Sequence, residues 1–175
     1  MDFFERMLYP CRWGLTLSVL AIFLGFLIGG LFGANEDALK NHLKTEGQAV
    51  LSTVYQNDEA AMNKTVAKSW SYLKRAHLHA GAIGAAALAL LLLLGALPVS
   101  YISKLFNGWL IGLGALIYPI FWLLAGLKAP GLGSTHAAKE SLNWLAIPSA
   151  GALLIGTFLI FLLCLKVCFQ PKSRY

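Results

Sequence analysis

The residues of this sequence that could do chemistry are its four histidines, His42, His77, His79 and His136, together with Glu140. His77 and His79 are two apart, so on a regular helix they point to nearly opposite faces and only one can face a bundle. The stripe Trp70, Leu73, His77, Gly81 and Gly84 makes His77 the inward one. Its two glycines leave room for a bulky flat group or for a close helix. His136, Glu140 and Asn143 form an i, i+4, i+7 polar row. His and Glu at that spacing can share a metal, and neutral imidazoles from two helices can clamp a haem iron axially. The expected site therefore draws on His77 or His79, His136 and Glu140. Against it stands a plainer role for each residue taken singly: histidine is amphipathic and suits a headgroup level, and Glu140 suits the first turn of a helix.

Something must carry these residues, and the composition says what. The chain has 175 residues, 58% hydrophobic and 13% charged, with a mean hydropathy of +0.66. Soluble domains carry about 25% charged residues, so a soluble globule, a disordered chain and a nucleic-acid-binding tail are excluded. Four stretches hold the hydrophobicity: residues 13–33, 80–98, 105–126 and 144–165. None contains Asp, Glu, Lys, Arg or His. Each approaches the roughly 20 residues that a helix needs to cross a hydrocarbon core of about 30 Å. Barrel strands would alternate over about 10 residues, which these do not. The prediction is an all-α, polytopic membrane protein with four transmembrane helices in a bundle. The first stretch reads as a retained anchor, being longer than a secretory h-region.

The polar region at 34–76 holds five of the eight acids and six of the fourteen basic residues. Apolar residues recur there at helical spacing in two blocks, broken at Gln56-Asn57-Asp58, where Asn57 or Asp58 can cap a new helix. The spacing predicts an extramembrane helical hairpin whose second arm runs into the second span. Pro98 opens a short turn at 99–104, and Ser134 or Thr135 can cap the fourth helix. Every histidine then falls on the hairpin side, outside the apolar cores.

Arg6 and Arg12 before the first span, Glu36 and Asp37 after it, and a wholly basic C-terminal tail favour cytoplasmic termini. The eight basic residues this leaves outside argue the other way. The localisation expected is a bacterial inner membrane, multi-pass. The net charge of +6 suits anionic lipid and requires no nucleic acid.

The stretch His77-Leu-His-Ala-Gly-Ala-Ile-Gly84 has the form H-x-H-x4-G at the start of a membrane helix. It resembles the motif in the second helix of the catalytic subunit of cbb3-type haem-copper oxidases and of related small haem or metal membrane proteins, including the nitric-oxide-response family. The resemblance covers eight of the 175 residues. It implies haem or metal ligation by His77 or His79, with His136 as the second ligand. The chain departs from the oxidases in having four spans and in lacking the intramembrane histidines of the copper and second haem, so oxygen reduction does not carry over.

Gly25-x3-Gly29-x3-Gly33 and Gly108-x3-Gly112 allow close helix approach, within the chain or between copies. Pro119 should disturb the third span near Tyr118. Cys11, Cys164 and Cys168 lie on the side opposite the histidines and make a poor zinc or disulfide set. No phosphate loop, nucleophile elbow or H-E-x-x-H is present, and no span holds a carboxylate. Two functions are expected. One is a non-enzymatic protein binding haem b or a transition metal at the membrane surface, in a respiratory or metal-handling system. The other is an interaction or assembly subunit that meets a membrane-protein partner or a second copy. A lipid-directed enzyme using His136 and Glu140 would lack a nucleophile.

Overall fold

The structure, a computed structural model, describes residues 3–169. Its elements are all helices, joined by short turns: α1 (Phe3–Leu8), a 3-10 turn at Tyr9–Cys11, α2 (Arg12–Ala49), α3 (Glu59–Ala96), α4 (Tyr101–Lys128), α5 (Thr135–Glu140) and α6 (Asn143–Phe169). Four of these helices are long and apolar enough to cross a membrane.

The polar region is not a separate hairpin mounted on the spans. Both of its arms are continuations of the long apolar helices: α2 and α3 each have 38 residues, or about 57 Å at 1.5 Å per residue, nearly twice the thickness of a hydrocarbon core. Where α2 leaves its apolar run, Asn35 takes non-helical angles (φ −134°, ψ 27°) and bends the helix without ending it. The two arms turn over at Val50–Asp58. Gln56 and Asn57 adopt positive φ there, 53° and 63°, and the Asp58 side chain caps α3 by accepting from the Ala61 amide at 2.9 Å.

Ser100 caps α4, so residues 101–104 are helical and the turn after Pro98 is shorter than the sequence suggests. Ser134 caps α5 by accepting from the His136 and Ala137 amides. That short helix ends at Glu140, and α6 begins afresh at Asn143. The polar row of His136, Glu140 and Asn143 is therefore split between two helices.

The four long helices do not share one axis equally. α2, α3 and α4 pack on one another, whereas α6 rests on α4 and barely meets α3. Only Ser149, Gly156 and Ile160 are buried on α6. Small residues set the close seams. A Cβ on Gly25 would lie 2.7 Å from the Gly81 backbone nitrogen, and one on Gly112 would lie 2.7 Å from the Gly14 Cα. Gly108 faces Cys11, and Gly114 faces Leu153 of α6. Gly33 has open space around it, so it makes no seam within the chain. One buried cluster joins Cys11, Ala87, Leu91, Leu94, Leu97, Ile111, Ala115 and Ile160, and a second joins Tyr72, Ala76, Phe121, Trp122, Ala125 and Leu142. Pro119 and Pro148 are accommodated inside α4 and α6.

The arm is tied down at its tip. The buried Tyr55 hydroxyl donates to the Pro130 carbonyl at 2.8 Å, and Gly133, at φ +69°, leaves the room that Val54 fills. Along the arm, Leu43, Gly47, Met62, Ser69, Tyr72 and Leu73 face inward.

Candidate functional site

Helix register places the histidines at depths that the sequence could not show. Gly126, the last residue of the α4 apolar run, packs on Leu73 and Ser69 of α3. The α3 apolar run begins only at Ala80. Residues 74–79 of α3 therefore lie beside apolar stretches of α2 and α4, and His77 and His79 belong to the apolar band instead of its surface.

His77 faces α2. Its Nδ1 lies 2.8 Å from the Gly25 carbonyl oxygen. A carbonyl only accepts, so Nδ1 carries the proton. The ring lies over Gly29, where a Cβ would come within 2.5 Å of the imidazole Cε1, and Phe32 meets it edge-on at 6.4 Å. Gly25 and Gly29 are thus the docking surface for His77, which joins two features that the sequence presents separately. Phe32 continues the seam upward onto Trp70 at 5.2 Å, and Lys40 reaches over the Trp70 ring at 5.4 Å.

His79 faces α4, on the other side of α3. It stacks on Tyr118 at 5.6 Å between centroids and meets Trp122 edge-on at 6.2 Å. Trp122 is buried beneath Tyr72, 4.9 Å away, and Phe121, 5.1 Å away. The Arg75 guanidinium lies over the Trp122 ring, 4.4 Å from its centroid. Arg75 was not among the residues singled out from the sequence. The available signal was the position of Lys74-Arg75 just before the α3 apolar run, one turn above His79.

His136 and Glu140 are paired within α5, with Nε2 3.2 Å from Oε1, and both side chains are largely exposed. His42 is exposed on the α2 arm. His77, His79 and His136 thus occupy three different surfaces: the α2/α3 seam, the α3/α4 face and the outside of α5. Each of them contacts a different neighbour, His77 the Gly25 carbonyl, His79 the Tyr118 ring and His136 the Glu140 carboxylate. Among the described residues no group of three or more His, Cys, Asp or Glu side chains is placed to hold a metal ion. The three cysteines are free: Cys11 is buried in the core, Cys164 partly buried and Cys168 exposed.

One turn above His79 the chain carries Arg75, and beyond it the α3 arm exposes Lys64, Lys68 and Lys74. None of the four has a carboxylate within ion-pair reach among the described residues; ion pairs there join Lys40 to Glu36 and His136 to Glu140. Comparison of the chain with protein-family models, with curated proteins and with solved structures finds no match.

Proposed function

We propose that this chain is a non-catalytic interaction subunit of a larger membrane complex, seated in a bacterial inner membrane with its termini in the cytoplasm. The α2/α3 arm is the part that grips the partner. The observation that carries this reading is an extended arm built for rigidity and left electrostatically unsatisfied on its outer face. Rigidity comes from helices continuous with the spans, from the Asp58 cap and from the Tyr55 bond to Pro130. The unsatisfied face is that of Lys64 and Lys68, one turn apart on α3 and both exposed. A preorganised surface loses little conformational entropy on binding, and a row of one sign selects a partner of the other. The partner surface is therefore acidic.

Photocrosslinking groups placed at residue 64 or 68, in cells expressing the full chain, test this. A single adduct of defined mass is expected from the arm. A group at Leu154, 74% exposed on the outer face of α6, should give lipid adducts alone. The double variant Lys64→Glu/Lys68→Glu should insert normally and lose the adduct. Migration of the wild-type chain as a monomer in native membranes, without arm adducts, overturns the proposal.

A further inference from the structure

We infer that the cleft between α3 and α6 binds one membrane phospholipid, with the phosphate held by Arg75 and His79 and an acyl chain laid beneath them. This is independent of any partner on the arm. The cleft exists because α6 is pinned to α4, through Gly114 on Leu153 and Gly156 on Ile111, while it scarcely approaches α3. A groove of about 320 Å³ results. Its α3 wall is shallow at Ala82 and Ala86, its floor is Ile111, and its α6 wall is Leu153 and Thr157. A nearly all-apolar trough of this kind suits a hydrocarbon chain and offers nothing to a polar ligand.

Its upper end has the opposite character. Ile83 lines the groove, His79 lies one turn above it and Arg75 one turn higher on the same face of α3. Arg75 is held over the Trp122 ring of α4, above the trough. His79, stacked on Tyr118, has no hydrogen-bond partner among the described residues. The indole nitrogen of Trp122, buried beneath them, likewise has no acceptor. Donors without acceptors thus gather at the upper end of an apolar trough, where the α3 apolar run begins. The complementary molecule has an anionic, multiply accepting head directly attached to an apolar tail. Guanidinium pairs with phosphate through two parallel hydrogen bonds, and an imidazole one turn away supplies another donor. A protein helix filling the same cleft would cover the trough and leave Arg75 unpaired near its upper end, which is costly.

The full chain, stripped of lipid in detergent and given dioleoylphosphatidylglycerol, tests this by native mass spectrometry. One retained lipid per chain is expected. Dioleoylglycerol, which has the same tails and no phosphate, should be retained at about a tenth of that occupancy or less, given the strength of charge-assisted hydrogen bonds. Arg75→Gln should lower retention by about tenfold on the same grounds, and His79→Phe, which keeps the stack, by a smaller factor. Ala86→Phe fills the trough and should abolish retention. If that variant does not fold, the Arg75→Gln and dioleoylglycerol comparisons decide. Equal retention by Arg75→Gln, or of dioleoylglycerol and the phospholipid, overturns the inference.

Discussion

The imidazole Nδ1 of His77 lies 2.8 Å from the carbonyl oxygen of Gly25, across the α2/α3 seam. A histidine that the sequence offers as a ligand is therefore a fastening between helices, and the glycine stripe of α2 is what lets it reach.

Removing the fastening should cost little, because hydrogen bonds between membrane helices are worth on average about 0.6 kcal/mol and rarely above roughly 1.7. His77→Phe keeps a ring over Gly29 and loses only the bond, so it should fall in that range. His77→Ala also empties the space over Gly29 and should cost more. Thermal unfolding in detergent orders the two variants. A His77→Phe loss as large as that of His77→Ala would contradict the assignment.

Gly25 and Gly33 stand in one G-x3-G-x3-G run and should respond oppositely to the same change. In Gly25→Ala the new methyl lies 2.7 Å from a backbone nitrogen that has no rotamer to escape through, and overpacking of this kind costs about 1–3 kcal/mol. Gly33→Ala meets open space and should stay within about 0.5 kcal/mol of the parent. Thermal stability of the two variants in the same detergent reads the difference.

Tyr55 makes the arm sensitive to alkaline pH. Burial pushes its phenol above the ordinary tyrosine value, and the Thr65 hydroxyl offsets part of that rise. A raised folded value means that the fold favours the neutral form. The stabilisation is fully present below the unfolded value, about 10, and is lost as pH climbs through the folded one. Hydrogen exchange at residues 50–58 and 130–133 should therefore accelerate above pH 10, after correction for base catalysis. Tyr55→Phe should accelerate it at neutral pH, with a local loss of about 1 kcal/mol, and should remove the extra alkaline step. A Tyr55→Phe chain that keeps that step would assign it elsewhere.

The attachment of α6 can be loosened without unfolding the other helices. A Cβ on Gly114 would fall 2.7 Å from Leu153 Cγ and 2.9 Å from the Ser149 carbonyl, so Gly114→Val pushes α6 away from α4. Cys164, which packs partly buried against the core, should then react several-fold faster with a membrane-permeant maleimide. Cys11, fully buried between α2, α3 and α4, should not change. Parallel acceleration of both thiols would show that the four helices loosen as one unit.

The long helices were legible in the sequence because uninterrupted apolar runs bounded by charge report directly on the solvent that each segment meets. The Asp58 cap was legible too, since capping is local chemistry. Register was not. Each helix read alone gives its own membrane boundary, and only the contact of Gly126 with Leu73 shows that the α3 boundary is displaced from its neighbours. His77 and His79 therefore read as surface residues in the sequence and are flanked by apolar helices in the fold. The identity of their partners was equally hidden, because the Gly25 carbonyl is a backbone group with no sequence signature. Arg75 went unnoticed for a related reason: its place over Trp122 depends on the alignment of α3 with α4.

The displaced boundary of α3 also gives the molecule an uneven perimeter. From Leu73, where the α4 run ends, to Ala80, where the α3 run begins, is seven residues, or about 10 Å along a helix. A bilayer touching the protein would meet a taller apolar wall along α4 and a wall lower by that amount along α3. Lipids pay for such mismatch by thinning or tilting locally, at a fraction of a kcal/mol per Å. In a bilayer the α3 flank would thus be a preferred edge, one along which the lipid must deform and a neighbour with an equally short wall would relieve the strain.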